Sequence, residues 1–213
     1  MANAEHKQQG DGGRFVGTTW QDLLDLETVD VPEYLRIQNN PDMGDEDLSV
    51  DRYISQAFFD KEKEEMWPHV WQMACREEEI PEPGDHHVYW IIDRSVIVTR
   101  TPSGEIKGFI NSCRHRGRCL RDESGYVDKF RCPFHGATWD LDGQFKGIPN
   151  QWDFEHIEGR DMSLPQVKVA TWGGFVFINF DQDAPPLEDY MEVLPDHFKR
   201  FPLEEYFTGV HVQ

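Results

Sequence analysis

Cys113-Arg114-His115-Arg116-Gly117 and Cys132-Pro133-Phe134-His135-Gly136 share one short pattern, a thiol and an imidazole in a tight loop closed by glycine. Sixteen residues separate His115 from Cys132. Each segment follows a β-type run, so two hairpin tips can converge on one centre from a rigid base. Two thiolates and two imidazoles make a metal-ligand set. Zinc accepts such a set, but zinc modules usually pair Cys with Cys and His with His, whereas here each loop mixes the two. A Cys-His nucleophile is a weaker alternative, because it leaves the second, duplicated pair without a purpose.

The spacing C-x-H-x16-C-x2-H resembles the Rieske signature, in which two cysteines hold one iron of a 2Fe-2S cluster and two histidines the other. The resemblance assigns Cys113 and Cys132 to the inner iron and His115 and His135 to the outer one. Exchanging two anionic thiolates for neutral imidazoles raises potentials from about -400 mV to roughly -150 to +300 mV. Gly117 and Gly136 let backbone N-H groups approach bridging sulfides. High-potential Rieske proteins carry a serine and a tyrosine after the second loop, whose hydroxyls stabilise the reduced cluster, and a disulfide between the loops. Here Ala137 and Trp139 take the hydroxyl positions, and Phe134 stands where a partner for Cys119 is needed. The resemblance therefore implies a low-potential cluster fed from a nicotinamide cofactor through a reductase.

Outward from the loops, Val88–Ile92, Val96–Thr99, Ile106–Ile110, Val167–Val169 and Phe175–Ile178 read as strands, with Asp93-Arg94-Ser95 and Pro102-Ser103-Gly104 as hairpin turns. The fold class is mainly β: a Rieske-type antiparallel β domain with an N-terminal helical extension and the beginning of a C-terminal α+β segment. The expected divisions are a disordered tail at 1–17, a helical extension at 18–66, the Rieske domain at 67–183 and the start of a truncated catalytic domain at 184–213. Thr19 with Asp22 predicts a short helix over Trp20–Leu26, and a second helix begins near Asp60, limited by Pro68. Leu187–Arg200 reads as helical and Phe207–Val212 as the start of a strand.

The whole chain has 213 residues, 40 acidic against 21 basic, for a formal charge of -19. That sign repels polyanions, which argues against nucleic acid. No apolar run spans a bilayer and the first fourteen residues lack an apolar core, so no membrane partner and a cytoplasmic location are expected. In a reducing compartment four cysteines read as ligands or buried thiols. Cys75 reads as a small core residue, and His86-His87 as the start of a strand with at least one ring toward solvent and no metal.

Trp71–Cys75, Ile80–Asp85, the two loops, Trp172–Asn179 and Ala184–Leu187 together resemble the alpha subunit of Rieske non-haem iron aromatic-ring-hydroxylating dioxygenases over about residues 50–213. Ala137 departs from the tryptophan common directly after the second loop. The resemblance implies a ferredoxin or reductase donor, neighbouring alpha subunits and a beta subunit. It also implies a mononuclear Fe(II) in a downstream domain, held by two histidines and a carboxylate. Asp153 and His156 begin that spacing, but Asp161 and Met162 follow where histidine is needed, and His197 and His211 do not complete it. The expectation is an electron-transfer portion with no catalytic residue of its own. The alternatives are an independent Rieske ferredoxin and a zinc-stabilised binding module. Arg114, Arg116, Arg118, Arg121, Lys129 and Arg131 make the loop neighbourhood basic within an acidic chain, either as a solvated face or as a docking patch.

Overall fold

The computed structural model describes residues 18–36 and 46–210, so the tail expected at 1–17 lies outside the described residues. It divides into two units, residues 1–48 and 49–213. In the first, α1 (Trp20–Leu24) opens on the anticipated capping box. Thr19 Oγ1 accepts from the Asp22 N-H at 3.1 Å, and the Asp22 carboxylate accepts from the Thr19 N-H at 2.8 Å. Trp20 Nε1 donates to the Leu35 carbonyl of α2 (Glu33–Arg36) at 3.1 Å.

The second unit begins with α3 (Asp51–Ile54) and α4 (Gln56–Lys61), which widens into a π-helical turn over Glu62–Met66 ahead of Pro68. The helix starts at Gln56 and not near Asp60, because Ser55 Oγ caps it by accepting from the Phe58 N-H at 3.3 Å.

Ten strands follow: β1 (Gln72–Arg76), β2 (Asp85–Ile91), β3 (Arg94–Arg100), β4 (Ile106–Ile110), β5 (Gly125–Tyr126), β6 (Phe130–Arg131), β7 (Thr138–Trp139), β8 (Phe145–Gly147), β9 (Gln166–Trp172) and β10 (Phe175–Asn179). Seven form an antiparallel sheet in the order β1-β10-β9-β4-β3-β2-β5, and β6-β7-β8 form a small second sheet. The β2–β3 turn is Ile92-Asp93, one residue earlier than expected, and it forces Ile92 to φ +55°. Central β3 is buried on both faces because each face meets its own core. Val96 and Val98 join Cys75, Ile80, Val167, Val176 and Ile178. Ile97 joins Phe109, Leu120, Phe130 and Trp139 on the side of the two loops.

The large sheet curls into a half-barrel that brings β1 near β2, and Tyr89 Oη donates to Gln72 Oε1 across this seam at 3.3 Å. A bulge at Ala74 interrupts the β1–β10 register, where Met73 opposes Phe177 and Cys75 opposes Val176. The expected helix over Leu187–Arg200 is two short ones, α5 (Leu187–Met191) and α6 (Leu194–Phe198), broken where Glu192 takes φ +48°. Phe207–Val210 form no strand, and the remainder of that expected strand lies outside the described residues. Among the described residues no helix is long and apolar enough to cross a membrane.

Candidate metal centre

The first loop leaves β4, and the second joins β6 to β7. Both are tied in the same way. The Cys113 N-H donates to the Arg118 carbonyl and the Gly117 N-H returns to the Cys113 carbonyl, each at 2.8 Å. In the second loop the Cys132 N-H donates to Ala137 at 2.8 Å and the Gly136 N-H to Cys132 at 3.0 Å. Closing such a turn takes a left-handed residue, and Gly117 and Gly136 supply it at φ +70° and +75°. At Gly136 a Cβ would also meet Pro149 Cγ at 3.0 Å.

Asn111 anchors the first loop from below. Its side chain donates to the Arg121 carbonyl at 2.6 Å and accepts from the N-H groups of Leu120 at 3.1 Å and Arg121 at 3.0 Å. Under the second loop, fully buried Trp139 donates through Nε1 to the Met162 carbonyl at 2.6 Å. Ala137 is fully buried beside it, in the core shared with Trp139.

The four residues singled out by the sequence converge. Cys113 and Cys132 are buried in the apolar core, their thiols close enough to interact, while the rings of His115 and His135 stand 4.8 Å apart at the surface edge. Burial pushes the Cys113 thiol up, and its neighbour Cys132 adds to this, while N-H groups of His115 and Arg116 directed at the sulfur oppose it. Burial, then the neighbouring His135, Arg116 and His156, push the His115 imidazole below the usual histidine range.

Both ring nitrogens of His115 are buried without a hydrogen-bond partner. Such orphaned atoms are rare in folded proteins, and a metal ion would take one of them. The donor set therefore fits an iron-sulfur cluster: two thiols inside, two imidazoles outside, and N-H groups aimed at sulfur.

Phe154, between the turns Gln151–Asp153 and Glu155–Ile157, and His156, within the second, also belong to this neighbourhood. Phe154 meets the His115 ring at 5.2 Å and the His135 ring at 5.8 Å, and His156 lies 5.2 Å from His115. Local spacing did not show this approach; the signal was three rings, Trp152, Phe154 and His156, at alternate positions in a polar segment. Exposed Phe134 stacks on His135 at 3.9 Å, and the Cys119 thiol donates to the Arg121 carbonyl. Arg114, Arg116, Lys129 and Arg131 are exposed around the loops, Arg118 pairs with Asp122, and Arg121 turns inward to donate to His86 Nε2 at 3.1 Å.

Residues 70–168 match the family described as the Rieske [2Fe-2S] domain. The chain is 33% identical over 141 residues to the biphenyl 2,3-dioxygenase alpha subunit of Rhodococcus jostii, covering 65% of this chain and 31% of that protein. It is 32% identical over 161 residues to the glycine betaine monooxygenase oxygenase subunit of Pseudomonas aeruginosa, covering 74% and 37%. Among solved structures, naphthalene 1,2-dioxygenase from Rhodococcus sp. bound to indole superposes with TM-score 0.62 at 36% identity, covering 67% and 33%. The chain spans about a third of the length of these curated relatives.

Proposed function

Because residues 70–168 are a Rieske domain of the kind carried by oxygenase alpha subunits, we propose that this chain is the electron-relay portion of such an oxygenase. Cys113 and Cys132 would hold the inner iron, and His115 and His135 the outer one. The observation that carries this reading is the pair of unpartnered, buried nitrogens of His115, beside His135 and above two adjoining thiols. When bound, a 2Fe-2S cluster supplies reversible acceptance of one electron.

The chain's residues do the rest. The thiols give up their protons on binding, and the N-H groups directed at Cys113 favour the resulting anionic sulfur. Phe154, perpendicular to the His115 ring, and Phe134, tilted over the His135 ring, set apolar carbon against the two imidazoles. The hydroxyl of Thr138, the residue between Ala137 and Trp139, is spent on the Gly136 carbonyl at 2.8 Å, so it does not add a donor to sulfur. A low potential follows from that lack of hydroxyl donors. The basic rim suits an acidic ferredoxin or reductase, and the acceptor would be a mononuclear iron held outside the described residues.

The relatives' names cover aromatic hydrocarbons and a quaternary amine at similar identity. The shared segment therefore carries the relay and not the choice of substrate.

Anaerobic reconstitution with iron and sulfide tests the reading. The expected product is red-brown, with two irons and two acid-labile sulfides per chain, and Cys132→Ser abolishes both. A colourless protein that holds zinc and takes up neither iron nor sulfide would falsify it.

A further inference from the structure

On the opposite face of the large sheet from the two loops, a second group of metal-ligating side chains meets at the seam between β1 and β2. The bulge at Ala74 sets it up. In a regular strand Cys75 would share the face of Met73, which is 55% exposed; with one residue inserted, Cys75 turns inward to 6%. It enters the core that contains Val96 and Val98. Across the seam, His87 is paired with Val98 and therefore projects to that same face. The neighbouring rung is already joined by the Tyr89–Gln72 hydrogen bond. Glu79, in the turn Glu77–Glu79 that follows β1, is held by accepting from the Arg76 N-H at 2.7 Å.

One ligand atom from each of Cys75, Glu79 and His87 lies within 4.8 Å of the other two. Tetrahedral zinc with bonds of about 2.0–2.3 Å spaces its donors roughly 3.3–3.8 Å apart, so side-chain shifts of about an ångström close the set. We propose that Cys75, Glu79 and His87 form a zinc site that fastens β1 to β2, with exposed Glu79 leaving the fourth position to water. The strand reading of His86-His87 gave no reason to expect a metal, because the bulge that aims Cys75 at His87 is not visible in the sequence.

Protonation favours this chemistry on one side and taxes it on the other. Burial pushes the His87 imidazole below the usual histidine range, so it offers a lone pair at neutral pH. Burial, then Glu79 and Glu77, push the Cys75 thiol up to about 12. Coordination must therefore break the S-H bond, release that proton to solvent and form the Zn-S bond, with no change of oxidation state.

The test uses the full, cluster-loaded chain dialysed against zinc, beside the variants His87→Gln, Cys75→Ser and Glu79→Gln. Expected are one more bound zinc per wild-type chain than in H87Q or C75S, and affinity roughly tenfold or more weaker in E79Q. Calorimetry in buffers of different ionisation enthalpy should show about one proton released per zinc in wild type and none from C75S. The half-buried position of His87 keeps the comparison valid if C75S folds poorly. Equal zinc in wild type and H87Q, or zinc taken up only as iron is lost, overturns the proposal.

Discussion

Asp140 shows how one side chain braces the turn between β7 and β8, just beyond the second loop. Its Oδ1 accepts from the N-H groups of Asp142 at 3.1 Å and Gln144 at 2.8 Å, while Lys146 Nζ reaches Oδ2 at 2.7 Å. Burial alone would raise its pKa; the Lys146 bond, the Gln144 N-H, the Lys146 charge and the Asp142 N-H outweigh burial and hold it below the usual carboxylate value. A carboxyl with a depressed folded-state pKa gives stability that is complete above its unfolded pKa and is lost as pH falls through the folded one. Asp140→Asn, which keeps one acceptor oxygen and loses the charge, should cost about 1–2 kcal/mol at pH 7. It should also shrink the stability lost between pH 7 and pH 3. Urea unfolding of both proteins at the two pH values measures this, and parallel acid losses would remove Asp140 as a contributor.

At the scale of an element, the first loop depends on Asn111, whose three hydrogen bonds span from the end of β4 to the backbone of Leu120 and Arg121. Asn111→Ala leaves the Leu120 and Arg121 N-H groups without partners and the Arg121 carbonyl with only the weak Cys119 thiol donor, a loss of about 2–4 kcal/mol. Amide exchange at Leu120 and Arg121 should speed up more than at β3, and unchanged protection there would show that the loop stands without Asn111. The loops themselves were legible because their chemistry is local: cysteine, histidine and glycine within five residues already require a tight turn with a positive φ. The long strands were legible as β-branched and aromatic runs bounded by turn residues, as in Val96–Thr99, whose burial on both faces leaves no alternation to read. What escaped notice depends on contacts between distant segments or on single-residue backbone choices. The bulge at Ala74, the break at Glu192 and the turn at Ile92 follow from tertiary packing, and none leaves a periodic trace. The approach of Phe154 and His156 to His115 closes over some forty residues of chain, which spacing within a motif cannot predict.

For the whole molecule, the decisive quantity is a formal charge of -19 set against a rim of arginine and lysine around the loops. These two features act oppositely on an acidic electron carrier. Net charge repels it at long range, whereas the rim attracts it near contact. Screening separates them, because the Debye length shrinks from about 10 Å at 0.1 M salt to about 3 Å at 1 M. If exposed Arg116 and Lys129 guide docking, the rate of cluster reduction by an acidic ferredoxin falls as salt rises, and the double variant Arg116→Gln/Lys129→Gln loses most of that dependence. Stopped-flow reduction across this range measures the slope, and the variant's reduction potential, expected to stay near wild type, shows whether the cluster itself was disturbed. A rate that rises with salt means that the net charge governs approach and that the rim is a solvated face. A flat profile in both proteins places docking on uncharged surface, of which exposed Phe134 beside His135 is the nearest part.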